Sequence, residues 1–210
     1  MRLPGGMDGP QAMKSAILMS GGMDSAALVF WKRPSVAITI CYGQLCAQGE
    51  VDAARQVCLA AGIAHEIVAV DCRHLGSGDL AGTAADLKAP SSEWWPFRNQ
   101  LLVTITAMRA IALGVDELML GTVKSDCTHL DGTSAFIQAI DALMRYQEGH
   151  MQVVAPAIGM TSAELIRASG IDMSVLAWCH SCHTSNVACG MCRGCNKHRD
   201  VLAELGHEPY

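Results

Sequence analysis

Ser20-Gly21-Gly22-Met23-Asp24-Ser25 is the stretch on which the reading of this chain turns. An apolar segment, Ala16-Ile17-Leu18-Met19, precedes it, and a helical pattern from Ala26 to Trp31 follows. Strand, glycine-rich turn and helix, in that order, build an anion site. Glycines let backbone N–H groups approach a phosphate, and the helix N-terminus adds partial positive charge. Ser20 and Ser25 offer hydroxyls. Asp24 would repel a phosphate unless a cation lay between them, so the motif asks for Mg²⁺. The Gly-Lys-Ser/Thr ending of a Walker loop is absent. A glycine turn that merely caps a helix is the plainer alternative.

Outward from this loop, strand and helix patterns alternate. Ser15–Met19 reads as a strand and Asp24–Trp31 as a helix. Ser35–Cys41 is a β-branched strand, Gly49–Ala61 a helix ended by Gly62, and His65–Val70 a third strand. Arg98–Leu113 is a long apolar helix closed by Gly114, and Glu117–Leu120 is a fourth strand. Thr133–Gln147 is helical, and Val153–Ala155 is a short strand stopped by Pro156. Thr161–Ala168 is a helix opened by a capping box of Thr161 and Glu164 and ended near Gly170. This order implies an α/β fold, an open and mostly parallel sheet with helices on both faces. Near-continuous apolar strands fit burial on both sides. Ligands of such sheets sit at the carboxyl ends of the strands, which places Ser20–Ser25, Tyr42–Gln44 and Thr122–Asp131 on one crevice. Residues 71–97 form a connection long enough to be a binding loop. Trp94 and Trp95 within it could stack on a base or pack in the core.

The composition narrows the class. A chain of 210 residues, half of them hydrophobic and 17% charged, has apolar surface for a large core and argues against disorder. A net charge of -5 gives no sign of general nucleic-acid affinity. No apolar run reaches the length of a membrane span, and the first residues lack the apolar core of a signal peptide. Residues 1–13 read as a flexible leader, residues 14–170 as the α/β domain and residues 171–210 as a separate C-terminal segment.

Ten cysteines are unevenly spread. Cys41, Cys46, Cys58, Cys72 and Cys127 are scattered, whereas Cys179, Cys182, Cys189, Cys192 and Cys195 crowd together. A metal site in a cytoplasmic enzyme explains this better than a disulfide scaffold. Cys182, Cys189, Cys192 and Cys195 have the short spacings that close a tetrahedral Zn²⁺ site, although four thiolates also serve an iron–sulfur cluster. With four protein ligands the metal has no open position, which makes it structural. Cys179 is the competing ligand for the place of Cys182. Gly190 and Gly194 are expected to form tight turns between ligands, and Arg193, Lys197 and Arg199 to offset the thiolate charge.

The Ser-Gly-Gly-x-Asp-Ser run resembles the pyrophosphate loop of N-type ATP pyrophosphatases, which cleave ATP between the α- and β-phosphates and adenylate a substrate. The chain then carries Tyr42-Gly43-Gln44, Arg98-Asn99, Ser181-Cys182, Ala188-Cys189-Gly190-Met191-Cys192, Cys195 and Arg199. In that order, from about Lys14 to Leu205, these motifs resemble the QueC family of 7-cyano-7-deazaguanine synthases. The resemblance implies a Rossmann-like fold and ATP-dependent activation of the carboxylate of 7-carboxy-7-deazaguanine. An amine, ammonia in the family, then forms the C–N bond. It also implies a homodimer.

Site roles follow from the same resemblance. Met19, Ser20, Gly21, Gly22, Met23, Asp24, Ser25, Leu28, Tyr42 and Gln44 would contact ATP, with Asp24 on Mg²⁺. Asp24, Ser25, Arg98 and Asp126 would be catalytic. Arg98, Asn99, Asp126 and Asp131 would meet the substrate. Each has a plainer alternative: a core tyrosine, a surface arginine at a helix start, a solvated loop aspartate.

The chain departs from the family pattern after Asp126. The usual Gly-Tyr-Pro-Asp-Cys-Arg-like segment is replaced by His129-Leu130-Asp131-Gly132-Thr133. Trp95-Pro96-Phe97 stands where Val-Pro-x is usual. These changes lie beside the expected acyl acceptor. They leave open a divergent ligase that stops at the amide and joins the deazaguanine to an amine of a partner protein, as QueC-like paralogues of phage-defence operons suggest by analogy. A nucleotide-binding module without catalysis is disfavoured by the intact Asp24 and Ser25. A tRNA thiolase is disfavoured by the acidic charge.

Overall fold

Side chains along a strand alternate between the two faces of a sheet, and here both faces are apolar. The computed structural model describes residues 13–207. The strands are β1 (Ser15–Leu18), β2 (Val36–Cys41), β3 (Ala64–Ala69), β4 (Glu117–Leu120) and β5 (Gln152–Val154). All pair in parallel, in the order β3-β2-β1-β4-β5. Ile17, Ala37 and Met119 point into one core, completed by α1 (Met23–Lys32), α2 (Ala47–Ala61) and α5 (Ser162–Ser169). Ala16, Val36, Ile38, Leu118 and Val153 point into the other, covered by α3 (Arg98–Ala112) and α4 (Ser134–Tyr146). The α/β class expected from the alternation is therefore what forms.

The first three strands advance in one direction from β1, and β4 and β5 lie on its other side. Strand order thus reverses between β1 and β4, whose last residues, Leu18 and Leu120, are in register. Loops leaving such a switch point diverge and open a crevice. Residues 19–25 leave β1 there, and residues 121–132 leave β4.

Most expected element bounds hold to within a residue. The exception is α2, which starts at Ala47 rather than Gly49. The Gly49 N–H in its first turn is satisfied by Asn186 Oδ1 at 3.1 Å, a partner that local sequence does not reveal. The Thr161–Glu164 capping box forms, with Glu164 N–H donating to Thr161 Oγ1 at 3.2 Å and Thr161 N–H to the Glu164 carboxylate at 2.7 Å. Beyond Gly170 come α6 (Met173–Leu176) and α7 (Arg193–Glu204). Leu176, Cys179, Val201 and Leu202 from this segment join the core of α1, α2 and α5. Apart from Met13, the expected leader lies outside the described residues. No helix among the described residues is long and apolar enough to cross a membrane.

Candidate active site and metal centre

Gly22 enters α1 in extended conformation, and no side chain caps the helix. The first N–H groups of α1 are left available to an anion. Inside the loop, Gly22 N–H donates to Ser20 Oγ at 3.3 Å, and Ser25 Oγ donates to the Gly22 carbonyl at 2.9 Å. Gly21 has a φ of +76°, and a Cβ there would sit 2.5 Å from the Glu50 carbonyl, so the turn requires glycine. Met19, Ser20, Gly22, Met23, Asp24 and Ser25 line an open crevice of about 810 Å³, within the usual range of ligand pockets. Leu28 does not. It is fully buried in the core beneath α1.

Gln44 is also absent from the crevice wall. Its Oε1 accepts from Tyr42 N–H at 2.8 Å, and its Nε2 donates to the Ile40 carbonyl at 3.2 Å and to Glu50 Oε2 at 2.7 Å. Both ends of the amide are spent on holding the turn after β2. Tyr42 does reach the crevice, while its ring meets Trp95 edge-on with centroids 4.9 Å apart. Trp95 is thereby a core residue, 2% exposed. Burial pushes the Tyr42 hydroxyl well above its ordinary pKa, against the pull of neighbouring Arg98. Arg98 opens α3 with the Tyr42 hydroxyl, Asp131 and Glu50 around its guanidinium. Burial alone would lower its pKa, but these neighbours raise it overall. Asn99 Nδ2 donates to the Asp131 carbonyl at 3.2 Å, so Arg98, Asn99 and Asp131 share one wall.

Three crevice groups lie outside the nucleotide and substrate residues expected from the sequence. Lys197, expected to offset thiolate charge, instead places Nζ 2.9 Å from Asp24 Oδ2 and 3.0 Å from Asp126 Oδ1. Glu50 lines the crevice with its carboxyl pKa raised, chiefly by burial, against hydrogen bonds from Gln44 and Cys46. Glu93, from the long connection, pairs with Arg193 of α7 and with His129 Nε2 at 3.1 Å. Burial would raise the Glu93 carboxyl, but its hydrogen bonds and Arg193 hold it down at about 2. This ion cluster joins the loop of residues 71–97 to the segment after Asp126. Only a glutamate two residues before Trp95 could have signalled it.

The sulfur atoms of Cys182, Cys189, Cys192 and Cys195 all lie within 4.8 Å of one another. Cys189 and Cys195 are 3.9 Å apart, as are Cys182 and Cys192. Zn–S bonds of about 2.3 Å in a tetrahedron require S···S edges of roughly 3.8 Å, so the cluster fits zinc. The N–H groups of His183 and Cys195 each point at Cys192 Sγ from 3.4 Å, as support for thiolate charge. Cys179 is not in the group. It lies in the apolar core, where burial pushes its thiol up to about 12. Gly190, at φ +77°, makes the expected turn. Gly194 does not: it is helical, and is glycine because a Cβ would fall 1.8 Å from the Ser181 carbonyl.

A glycine turn feeding an uncapped helix at a switch point, with carboxylates, a guanidinium and an ammonium around one crevice, defines an α/β nucleotide-binding protein of the pyrophosphate-loop class. Residues 14–206 match the family described as "Queuosine biosynthesis protein QueC", and the chain belongs to that family. A 7-cyano-7-deazaguanine synthase of Ralstonia nicotianae is 30% identical over 207 residues, 89% of this chain and 92% of that protein. One of Cupriavidus pinatubonensis is 30% identical, covering 92% of this chain and 94% of its own length. One of Desulforudis audaxviator is 30% identical, covering 88% and 94%.

Proposed function

We propose that this chain uses ATP to activate the carboxylate of 7-carboxy-7-deazaguanine and then forms a C–N bond, giving 7-cyano-7-deazaguanine. The observation that carries this reading is the convergence of the Ser20–Ser25 loop, Arg98–Asn99 and Asp126–Asp131 on one crevice in a chain of the QueC family. A carboxylate is a poor electrophile. Its oxygen attacks the α-phosphorus of ATP, the bond to the bridging oxygen breaks, and pyrophosphate leaves. Ammonia attacks the acyl carbon and AMP leaves, giving the amide. The amide oxygen then attacks the α-phosphorus of a second ATP, pyrophosphate leaves, and loss of AMP with both amide protons gives the nitrile.

Residues take their roles from position. N–H groups of the Ser20–Ser25 turn and the start of α1 cradle the phosphates, with Met19 and Met23 behind them. Arg98 supplies a guanidinium fork for carboxylate or phosphate. Gln44 and Leu28 act from behind, in the turn and in the core. Asp24 Oδ1 is buried without a hydrogen-bond partner, which fits a carboxylate awaiting a cation. Mg²⁺ held by Asp24 and Asp126 would neutralise charge on the phosphates. Zinc held by the four cysteines would fix the segment around them, whose His180 N–H bonds the Gly21 carbonyl of the ATP-binding unit. Ten cysteines outside any disulfide, four of them gathered as a metal-ligand group, support a reducing, cytoplasmic setting. Exposed Met108 and Ile111 on α3 and Leu143 and Tyr146 on α4 support a homodimer.

A second reading concerns the acceptor. Of the segment that departs from the family, His129 to Thr133, His129, Asp131 and Gly132 line the crevice, and His129 is held by Glu93. Altered residues there favour an amine other than ammonia, including one on a partner protein in antiviral defence, with the reaction ending at the amide. Mass spectrometry of products from 7-carboxy-7-deazaguanine, ATP and ammonia separates the readings. Free nitrile supports the synthase. Amide alone, or added mass on a protein encoded nearby, supports the ligase. No conversion in any mixture removes both.

A further inference from the structure

Lys197 is a crevice cation that bridges two carboxylates drawn from distant parts of the chain. Its ammonium meets Asp24 of the pyrophosphate loop at 2.9 Å and Asp126 of the segment after β4 at 3.0 Å. Two carboxylates brought to one ammonium would otherwise repel each other. A lysine ammonium has three donors, and two are used here. Lys197 also lines the crevice with its side chain 36% exposed, so the group is reachable from the ligand side. Its backbone stands early in α7, two residues after Cys195, and is fixed where the cysteine cluster ends.

We propose that Lys197 occupies the seat between Asp24 and Asp126 in the nucleotide-free protein, so that a divalent ion enters only together with ATP, and that its ammonium then pairs with the phosphates. Asp126 Oδ2 accepts from Val123 N–H and its Oδ1 from Lys197, so an ion shared between Asp126 and the unpartnered Asp24 Oδ1 would have to displace the ammonium from Asp126. Ion and ammonium therefore exclude each other at this position. A triphosphate arriving with its own metal gives the displaced ammonium an anionic partner a few ångströms away. Asp24 is then a switchable ligand: paired with lysine at rest, with the metal during turnover. The positive charge that leaves the aspartates is carried to the phosphates, where charge builds during pyrophosphate departure.

The proposal rests on the adenylating function above, but its metal-binding test does not need the deazaguanine. Mn²⁺ binding to the zinc-loaded chain, followed by electron paramagnetic resonance, is compared for wild type, K197M and K197R, with and without a non-hydrolysable ATP analogue. Wild type without nucleotide should bind Mn²⁺ at least about tenfold more weakly than K197M, and adding the analogue should abolish the difference. K197R should follow wild type. Pyrophosphate release should fall by about 10²-fold in K197M, the usual loss for one removed charge donor, with partial recovery in K197R. Equal Mn²⁺ affinity of wild type and K197M without nucleotide, or unchanged pyrophosphate release, overturns the proposal. If K197M does not fold, micromolar Mn²⁺ binding by nucleotide-free wild type overturns it alone. A chain that shows the Mn²⁺ difference but never releases pyrophosphate with the carboxy base fails the function, not the seat.

Discussion

The His180 N–H donates to the Gly21 carbonyl at 2.9 Å, so the backbone that enters the cysteine cluster is bonded directly to the pyrophosphate loop. The cysteine cluster and the Ser20–Ser25 loop are thereby mechanically joined. Stripping the metal with a strong chelator should therefore weaken ATP binding as well as lower the melting temperature. Calorimetric titration before and after chelation checks this, with metal content read by mass spectrometry. C195S should lose bound zinc. C179A should keep it at one ion per chain and lose only about 1 kcal/mol of stability, because Cys179 is a core residue.

Gly194 to Ser181 is the closest approach in the metal segment, 1.8 Å from a Cβ built on the glycine to the carbonyl oxygen. Neither side is a flexible side chain, so α7 must shift. G194A should destabilise the fold by at least about 2 kcal/mol in urea unfolding. G159A, where nothing lies within 4 Å of the added carbon, should cost far less.

The order of strands and helices was readable because each parallel strand is a short apolar run and each helix carries its own signals, such as Thr161 with Glu164 or Gly62 after α2. The cysteine cluster was readable because its ligands are close in sequence. What could not be read were partnerships across the chain. Lys197 and Asp24 are 173 residues apart, and Lys197 stands among cysteines that suggested a different task for it. Gln44 looked like a nucleotide contact because it follows Tyr42 at a strand end, yet Glu50 and two backbone groups claim its amide. Glu93 was hidden in a long polar connection.

Arg98 lies beside the Tyr42 hydroxyl and Asp131, where a planar fork can serve a carboxylate. R98K keeps the charge but loses the bidentate geometry. It should lower kcat/KM for carboxylate-dependent pyrophosphate release by roughly 10²-fold, with little change in melting temperature. Steady-state kinetics against 7-carboxy-7-deazaguanine check this.

Glu93 gives a pH signature. Its folded pKa of about 2 lies below the ordinary 4.5, so the stabilisation it supplies is complete above pH 4.5. It is lost as pH falls through that window towards the folded value. The unfolding free-energy difference between wild type and E93Q should therefore shrink between pH 4.5 and about 2 and stay flat above it. A flat difference throughout would show that Arg193 and His129 do not hold the carboxylate.

The central claim is that the carboxylate of 7-carboxy-7-deazaguanine attacks the α-phosphorus of ATP. The most direct test labels that carboxylate with oxygen-18 and weighs the AMP released. The account predicts AMP carrying one labelled oxygen, formed only when the carboxy base is present. Unlabelled AMP, or AMP formed equally without the base, would contradict it.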